Sequence, residues 1–526
     1  MSTVNRRGTV SPAALLSSLH VFALLGSAAF FFSSRLAAFS GREAFLFFNQ
    51  PFQLKESPIM KRLFAPSTLG AALAFSLLAG LAAPAAHADT VLPTAIAVGS
   101  VPRGVAIAPD GSRVYVANYN SNTVSEIDPA SNTVVNTVAV HDGPWGLAVN
   151  PSGSVFVTSY ATNAVGTFVA GDASSTDIMD NTFASYPFGI AATTVSGVGK
   201  IYFTNYGNDT VVAMNPDGTG AVAIAVGTSP LGVAATPDGK YVYAANRSSN
   251  NVSVIDTASN TVVATIAVGT NPYGVAISPD GQYAWVANIN SNNVSVIATA
   301  ENANAASRNT VVATVAVGTN PEWVALTPDG QYAYVANNGG NNVSVINTAV
   351  ALTAPASAVV STLAVGTRPA GVAITPNGQT AYVSNYNDNT VSVITLDTPP
   401  ALTTATLPAA TEKAAYSATI AATGSPAPTL SASGLPTWLS FDPATGKLTG
   451  TPPAGVPSYS FDITATSALH GDAANPAMVT RTYTIAVISP LGMTGATSVP
   501  TLGEWSLALL GLLLSGGAAL RMRRRS

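Results

Sequence analysis

The stretch GVAISPDGQYAWVANINSNNVSVI, residues 274–297, decides the fold. It reads as three short strands, with Pro279-Asp280-Gly281 making the first tight turn and the Asn-rich residues 290–293 the second. β-Branched and aromatic residues dominate the runs between the turns, as a pleated, half-buried surface requires. A fourth strand closes each copy, as VVATIAV at 262–268 does for the preceding one. The opening of the unit recurs as PRGVA at 102–106, PWGLA at 144–148, PFGIA at 187–191, PLGVA at 230–234, PYGVA at 272–276, PEWVA at 321–325 and PAGVA at 369–373. A spacing of roughly 42 to 49 residues is the period of a propeller blade. Four antiparallel strands repeated seven times predict an all-β protein whose main body, residues 89–397, is a seven-bladed β-propeller.

Ring closure is legible as well. The last copy has strands near 371–374, 380–384 and 390–394 but lacks a fourth strand before Pro399 and Pro400, while an orphan fourth strand at 94–98 precedes the first copy. The N-terminal strand is therefore expected to complete the seventh blade, so that no edge stays open.

The second strand of each copy carries Tyr115-Val116-Ala117-Asn118, Phe156-Val157-Thr158-Ser159, Tyr202-Phe203-Thr204-Asn205, Tyr243-Ala244-Ala245-Asn246, Trp285-Val286-Ala287-Asn288, Tyr334-Val335-Ala336-Asn337 or Tyr382-Val383-Ser384-Asn385. This pattern resembles the YVTN-repeat family of surface-layer and periplasmic propellers; the copy at 156–159 departs by ending in Ser. The resemblance covers about residues 90–397 and implies the fold, whereas function resides in sites grafted on it. The terminal Asn is expected to bond neighbouring backbone at the turn. Asp110, Asp238, Asp280 and Asp329 each precede Gly at one blade position and read as turn residues.

After Pro400 the pattern changes. Tyr416-Ser417-Ala418-Thr419, Leu435-Pro436-Thr437-Trp438-Leu439 and Asp442-Pro443-Ala444-Thr445-Gly446 resemble the immunoglobulin-like, cadherin-related domains that bacterial surface proteins string together. Short alternating runs separated by Pro and Gly independently suggest a small β-sandwich over 398–490, followed by a linker at 491–498. Its expected role is a stalk. Asp442, Asp462 and Asp472 are the carboxylates a calcium ion would use there, without a recognisable ligand spacing.

The ends carry targeting signals. From Met60 the chain reads MKRLFAPSTLGAALAFSLLAGLAAPAAHA, with Lys61 and Arg62 before an apolar run at 69–83 and small residues at Ala86 and Ala88. That is a signal peptide over 60–88, cleaved by signal peptidase before Asp89. Residues 1–59 are then either an upstream extension from a mis-chosen start or an additional membrane segment around 13–31. At the other end Val499-Pro500-Thr501-Leu502-Gly503-Glu504-Trp505 leads into an apolar run and then Arg523-Arg524-Arg525. Residues 505–520 would span about 24 Å as a helix, slightly short of a bilayer core of about 30 Å. The arginines favour a cytoplasmic C-terminus. Residues 499–526 resemble IPTL-CTERM sorting signals of Gram-negative bacteria, with Val499 where the family has Ile and Ser506 where it usually has Gly. That resemblance implies an exosortase-type membrane protease as processing partner; a plain single-span anchor is the alternative. Both place the body outside the inner membrane, at the cell envelope or outer surface or in the medium.

Composition narrows the chemistry. The chain has 21 Lys+Arg and 25 Asp+Glu; the first 88 residues and the tail from Glu504 hold 11 of the former and 3 of the latter, so the body is strongly acidic. Such a body repels phosphate backbones, which excludes nucleic acid as a partner. With no cysteine and only His141 and His470 after the leader, thiolate sites, haem, copper or iron–sulfur ligation and a histidine-based triad have no basis, and no cofactor or metal is expected. His141 alone reads as a solvated loop residue, and no catalytic residue is assigned.

What varies within the repeat is more informative. The loops before each first strand and after each second strand should share one face of the propeller. That face would carry Arg103, Trp145, Phe188, Leu231, Tyr273, Glu322 and Trp323 with Tyr119, Tyr160, Tyr206, Arg247 and Tyr386. Such a ring can stack on sugars or anchor an envelope or matrix protein. The expected function is a non-catalytic binding or scaffolding module; the alternative is a periplasmic lactonase- or hydrolase-type propeller using a carboxylate site that includes Asp209 or Glu322.

Overall fold

The computed structural model describes residues 89–489 apart from Val456; the expected leader and sorting tail lie outside the described residues. Seven antiparallel sheets follow in chain order. In blade 1 the strands are Pro102–Ile107, Val114–Asn118, Thr123–Asp128 and Thr133–Ala139, running outward from the axis. First strands of successive blades pack against one another, and that of blade 7, Pro369–Ile374, returns to that of blade 1. Second strands such as Val114–Asn118 are wholly buried, whereas outer strands such as Thr261–Ala267 alternate between exposed and covered residues. The core lies between blades: Tyr243, Val252 and Val254 of blade 4 pack against Val275, Ala284 and Val286 of blade 5.

Closure follows the reading above. Thr90–Val91 and Ile96–Ala97 both pair with Thr390–Thr395, with Thr90 opposite Thr395 and Ile96 opposite Val391, and supply the outer edge of blade 7. Hydrogen bonds across the seam reinforce it. The Ser384 hydroxyl donates to the Arg103 carbonyl at 2.5 Å, just as Thr158 and Thr204 donate to Phe188 and Leu231 of the following blades at 2.6 Å.

A second seven-fold device was invisible in the sequence. The residue before every first-strand proline is left-handed: Val101, Gly143, Tyr186, Ser229, Asn271, Asn320 and Arg368 have φ between 47° and 72°. The residue just before each third strand is left-handed too, and is Asn in six blades and Asp209 in one. Its side-chain oxygen accepts the N–H of the first set in the next blade at 2.7–3.1 Å, from Gly143 to Asn122 around to Val101 on Asn389. Asn and Asp suit both demands, tolerating positive φ and offering an acceptor. Asn389→Ala is therefore expected to cost about 2 kcal/mol, one part for the lost bond and one for alanine in the left-handed region. An unchanged denaturation midpoint would mean that strand pairing alone closes the ring.

Of the Asn residues ending the second strands, Asn205 bonds backbone as expected, accepting from the Ser185 N–H and donating to the Phe183 carbonyl, and the other five act differently. Nδ2 of Asn118, Asn246, Asn288, Asn337 and Asn385 donates across to the next strand's Ser hydroxyl at 2.9 Å, not to backbone at the turn. The Asn side chain lies buried in the sheet, facing that hydroxyl two residues into the third strand, so the side-chain bond wins. Asp110, Asp238, Asp280 and Asp329 do cap their turns, accepting the N–H two residues on.

The second domain is a β-sandwich. One sheet contains Ala410–Thr411, Ala477–Ile488, Ser458–Ser467 and Thr429–Ser433; the other contains Tyr416–Thr419, Lys447–Gly450 and Leu439–Asp442. Leu448, Phe461, Ile463, Tyr483 and Ile485 fill the space between them. No helix among the described residues is long and apolar enough to cross a membrane.

Candidate functional site

The first strands open at the axis as Pro-X-Gly. A Cβ on Gly104, Gly146, Gly189, Gly232, Gly274 or Gly371 would lie 2.3–2.6 Å from the main-chain oxygen of the X residue in the next blade. Glycine is thus what lets the strands crowd around the axis, and the X side chains are left to line its mouth. Blade 6 breaks the pattern with Trp323 in the glycine slot. Trp323 borders a narrow cavity of about 30 Å³ beneath the mouth, beside Gly104, Gly146 and Gly371. It belongs to the floor and not to the wide rim on which the sequence placed it.

Above that floor lies a cup of about 450 Å³ lined by Arg103, Tyr119, Trp145, Tyr160, Phe188, Tyr206, Leu231, Arg247, Tyr273, Ile289, Glu322 and Arg368. One wall is aromatic. Trp145 sits 4.3 Å from Phe188, 5.2 Å from Tyr119 and 5.8 Å from Tyr160 by ring centroids, and Tyr160 is 5.1 Å from Tyr186. Phe188 in turn meets Tyr273 edge-on at 5.4 Å. Such offset and edge contacts hold the rings in fixed orientations. Tyr386, expected as a free ring face, is instead committed to cations: Arg103 lies 3.9 Å over it and 4.2 Å over Trp145, and Arg368 stacks at 5.0 Å.

Polar groups stand among the rings. Nε of Arg103 and Nε of Arg247 are buried without a protein acceptor, while Nε of Arg368 donates to Asn338 at 3.1 Å. Glu322, only 9% exposed, faces the cup and forms no hydrogen bond or ion pair among the described residues. Burial pushes its carboxyl up to about 7, against the pull of Arg103 and Arg368. Burial likewise holds the Tyr273 phenol well above its usual range, with Glu322 adding to the effect. The sequence missed Arg368 and Tyr186, both of which stand one residue before a first-strand proline. Asp209, offered with Glu322 as part of a carboxylate site, is engaged in the inter-blade bond to Ser229 and does not line the cup.

The remaining candidates are placed elsewhere. His141 is exposed and pairs with Asp177 at 2.7 Å. The three carboxylates considered for calcium serve separate partners: Asp442 caps its turn at Ala444, Asp462 accepts from Thr482, and Asp472 accepts from Asn347 and Asn475. His470, in the sandwich domain, meets two of the propeller's acids. Among the described residues, Asp89, Asp397 and His470 form the one group of three metal-type ligands, their atoms within 4.8 Å of one another. All three are buried. Nδ1 of His470 is 2.7 Å from Asp89 and 2.9 Å from the Tyr334 hydroxyl, which itself donates to Asp89. The His470 N–H donates to Asp397 at 2.7 Å, and the Asp397 N–H donates to Asp89 at 2.9 Å. This geometry is a hydrogen-bonded pin joining the first strand, the end of blade 7 and a loop of the sandwich domain.

Comparison with known proteins agrees with this architecture. Residues 207–309 and 297–416 match the family "Lactonase, 7-bladed beta-propeller", residues 399–488 match "Putative Ig domain" and residues 497–525 match "IPTL-CTERM motif". Hydrazine synthase of Kuenenia stuttgartiensis is similar at 23% identity and a TM-score of 0.50, over 59% of this chain and 98% of that one. A streptogramin B lyase is similar at 17% identity and a TM-score of 0.47, over 58% and 96%. The PE-PGRS family protein PE_PGRS18 of Mycobacterium tuberculosis is 52% identical over 50 residues, and the chain spans 11% of its length. The structural likenesses concern the fold alone. The chain thus combines a seven-bladed propeller, an Ig-like domain and an IPTL-CTERM motif, the make-up of an exported surface protein.

Proposed function

We propose that this protein is a binding module of the cell envelope or extracellular matrix, in which the axial cup takes a glycan and the Ig-like domain acts as a stalk. Signal peptidase would release it at Asp89, and an exosortase-type protease would act on the tail around Val499 to Trp505. The observation that carries this reading is the wall of Tyr119, Trp145, Tyr160 and Phe188, whose rings are locked by one another and line a cavity large enough for a ligand. Oriented aromatic faces suit the apolar faces of sugar rings. Replacing Trp145 and Tyr160 together with alanine is expected to weaken glycan binding at least tenfold, as loss of a buried aromatic anchor does. A glycan array read with parent and variant checks it, and identical profiles would discard the reading.

A second reading is favoured by the lactonase match and by Glu322, a carboxyl poised to hold or give up a proton near neutral pH. Turnover of a simple lactone, lost in Glu322→Gln, would promote it over pure binding.

A further inference from the structure

The cup is unevenly furnished for a neutral ligand. Three guanidiniums, those of Arg103, Arg247 and Arg368, line a space that holds a single carboxyl, Glu322. None of the three comes within ion-pair distance of that carboxyl. Arg103 lies over both Trp145 and Tyr386, which fixes its fork while leaving its Nε unbonded. A clamped guanidinium of this kind recognises planar oxyanions through paired N–H donors. The same cup holds the aromatic wall and a carboxyl that has no partner although it is nine-tenths buried.

We propose that the cup receives a uronate unit of an acidic polysaccharide, its ring against Tyr160, its carboxylate on Arg103 and Arg368, and the Glu322 carboxylic acid as a hydrogen-bond donor to it. The inference rests on the glycan reading above and adds the charge of the sugar. Glu322 supplies a condition on pH. The charged or titratable groups facing it are Arg103, Arg247, Arg368 and Tyr273. With the Tyr273 phenol held protonated by burial, Glu322 is the titratable group in this set that changes state in the neutral range. Once ionised it stops donating and repels the ligand, so affinity falls as pH rises from 6 to 8.

The test is calorimetric titration of the exported protein with trimers of galacturonic acid, of galactose and of sulfated galactose. The acidic trimer should bind at least tenfold more tightly than galactose at pH 6 and lose most of that advantage at pH 8. Arg103→Gln and, in case that variant fails to fold, the exposed Arg368→Gln should each erase the preference, and Glu322→Gln should erase its pH dependence. Equal binding of the uronate and neutral trimers would overturn the inference while leaving a glycan receptor. Binding of neither trimer would overturn both readings, and a sulfated trimer bound as well as the uronate would overturn the carboxylate assignment.

Discussion

Replacing His470 with alanine is expected to cost about 3 kcal/mol of stability, because it deletes a buried ring and leaves the buried Asp89 carboxyl short of a hydrogen-bond partner. The ring is 5% exposed and its Asp89 partner fully enclosed, so water cannot take over the lost bond. Removal would also strip the edge contact to Tyr332, whose ring centroid is 4.0 Å away, and leave a cavity against the Leu469 core that joins blades 6 and 7. Because the loop at 469–472 belongs to the sandwich while Asp89 and Tyr334 belong to the propeller, the loss falls on the contact between the domains. Denaturation followed by two probes, one reporting each domain, should show transitions that coincide in the parent and separate in His470→Ala. A change below about 1 kcal/mol, with the transitions still coincident, would show that the pin is not what ties the domains together.

That pin marks the limit of what could be read beforehand. The propeller was legible because its information is periodic: PXG openings, PDG turns and Asn-rich turns repeat at a fixed interval, and the missing fourth strand of the last copy points to residues 94–98. The aromatic mouth was legible for the same reason, since X varies against a constant frame. Asp89, Asp397 and His470 follow no period. They come from a strand end, an interdomain junction and a loop, and nothing near any of them in sequence specifies the others.

The partial misses follow from geometry as well. Trp323 aligns with glycines that sit beneath the mouth, and only the close approach of neighbouring main chains shows that a side chain there must fill the axis. Tyr386 reads as one more aromatic until the stacking of Arg103 and Arg368 on it is seen. The inter-blade bonds from left-handed Asn residues hide among many Asn residues that read equally well as turn formers. Arg368 is not legible in the sequence because a charge before a proline reads as a solvated loop residue, whereas the left-handed residue lines the cup.

Glu322→Gln is expected to raise stability by about 3 kcal/mol at pH 8 and to change it little at pH 4. The wild-type carboxyl titrates at about 7 in the folded protein and ordinarily at 4.5, chiefly because burial penalises its charge. Below pH 4.5 it is protonated in both states, so nothing is lost there. Between about 4.5 and 7 the unfolded chain releases the proton while the folded one keeps it, so stability falls as pH rises and the full loss is reached above 7. A displacement of that size corresponds to about 3 kcal/mol at roughly 1.4 per unit. Asp110, Asp128, Asp256 and Asp442, whose carboxyls are held below the usual range by hydrogen bonds, titrate beneath this window and do not mask it. Glutamine keeps the size and polarity of the neutral acid, so the difference between parent and variant isolates the one ionisation. Denaturant titrations of both proteins from pH 4 to 8 check it: a gap that opens with pH identifies Glu322 as a strained carboxylate facing the cup. A constant gap would place its charge in water and remove it from any pH-dependent role at the axis.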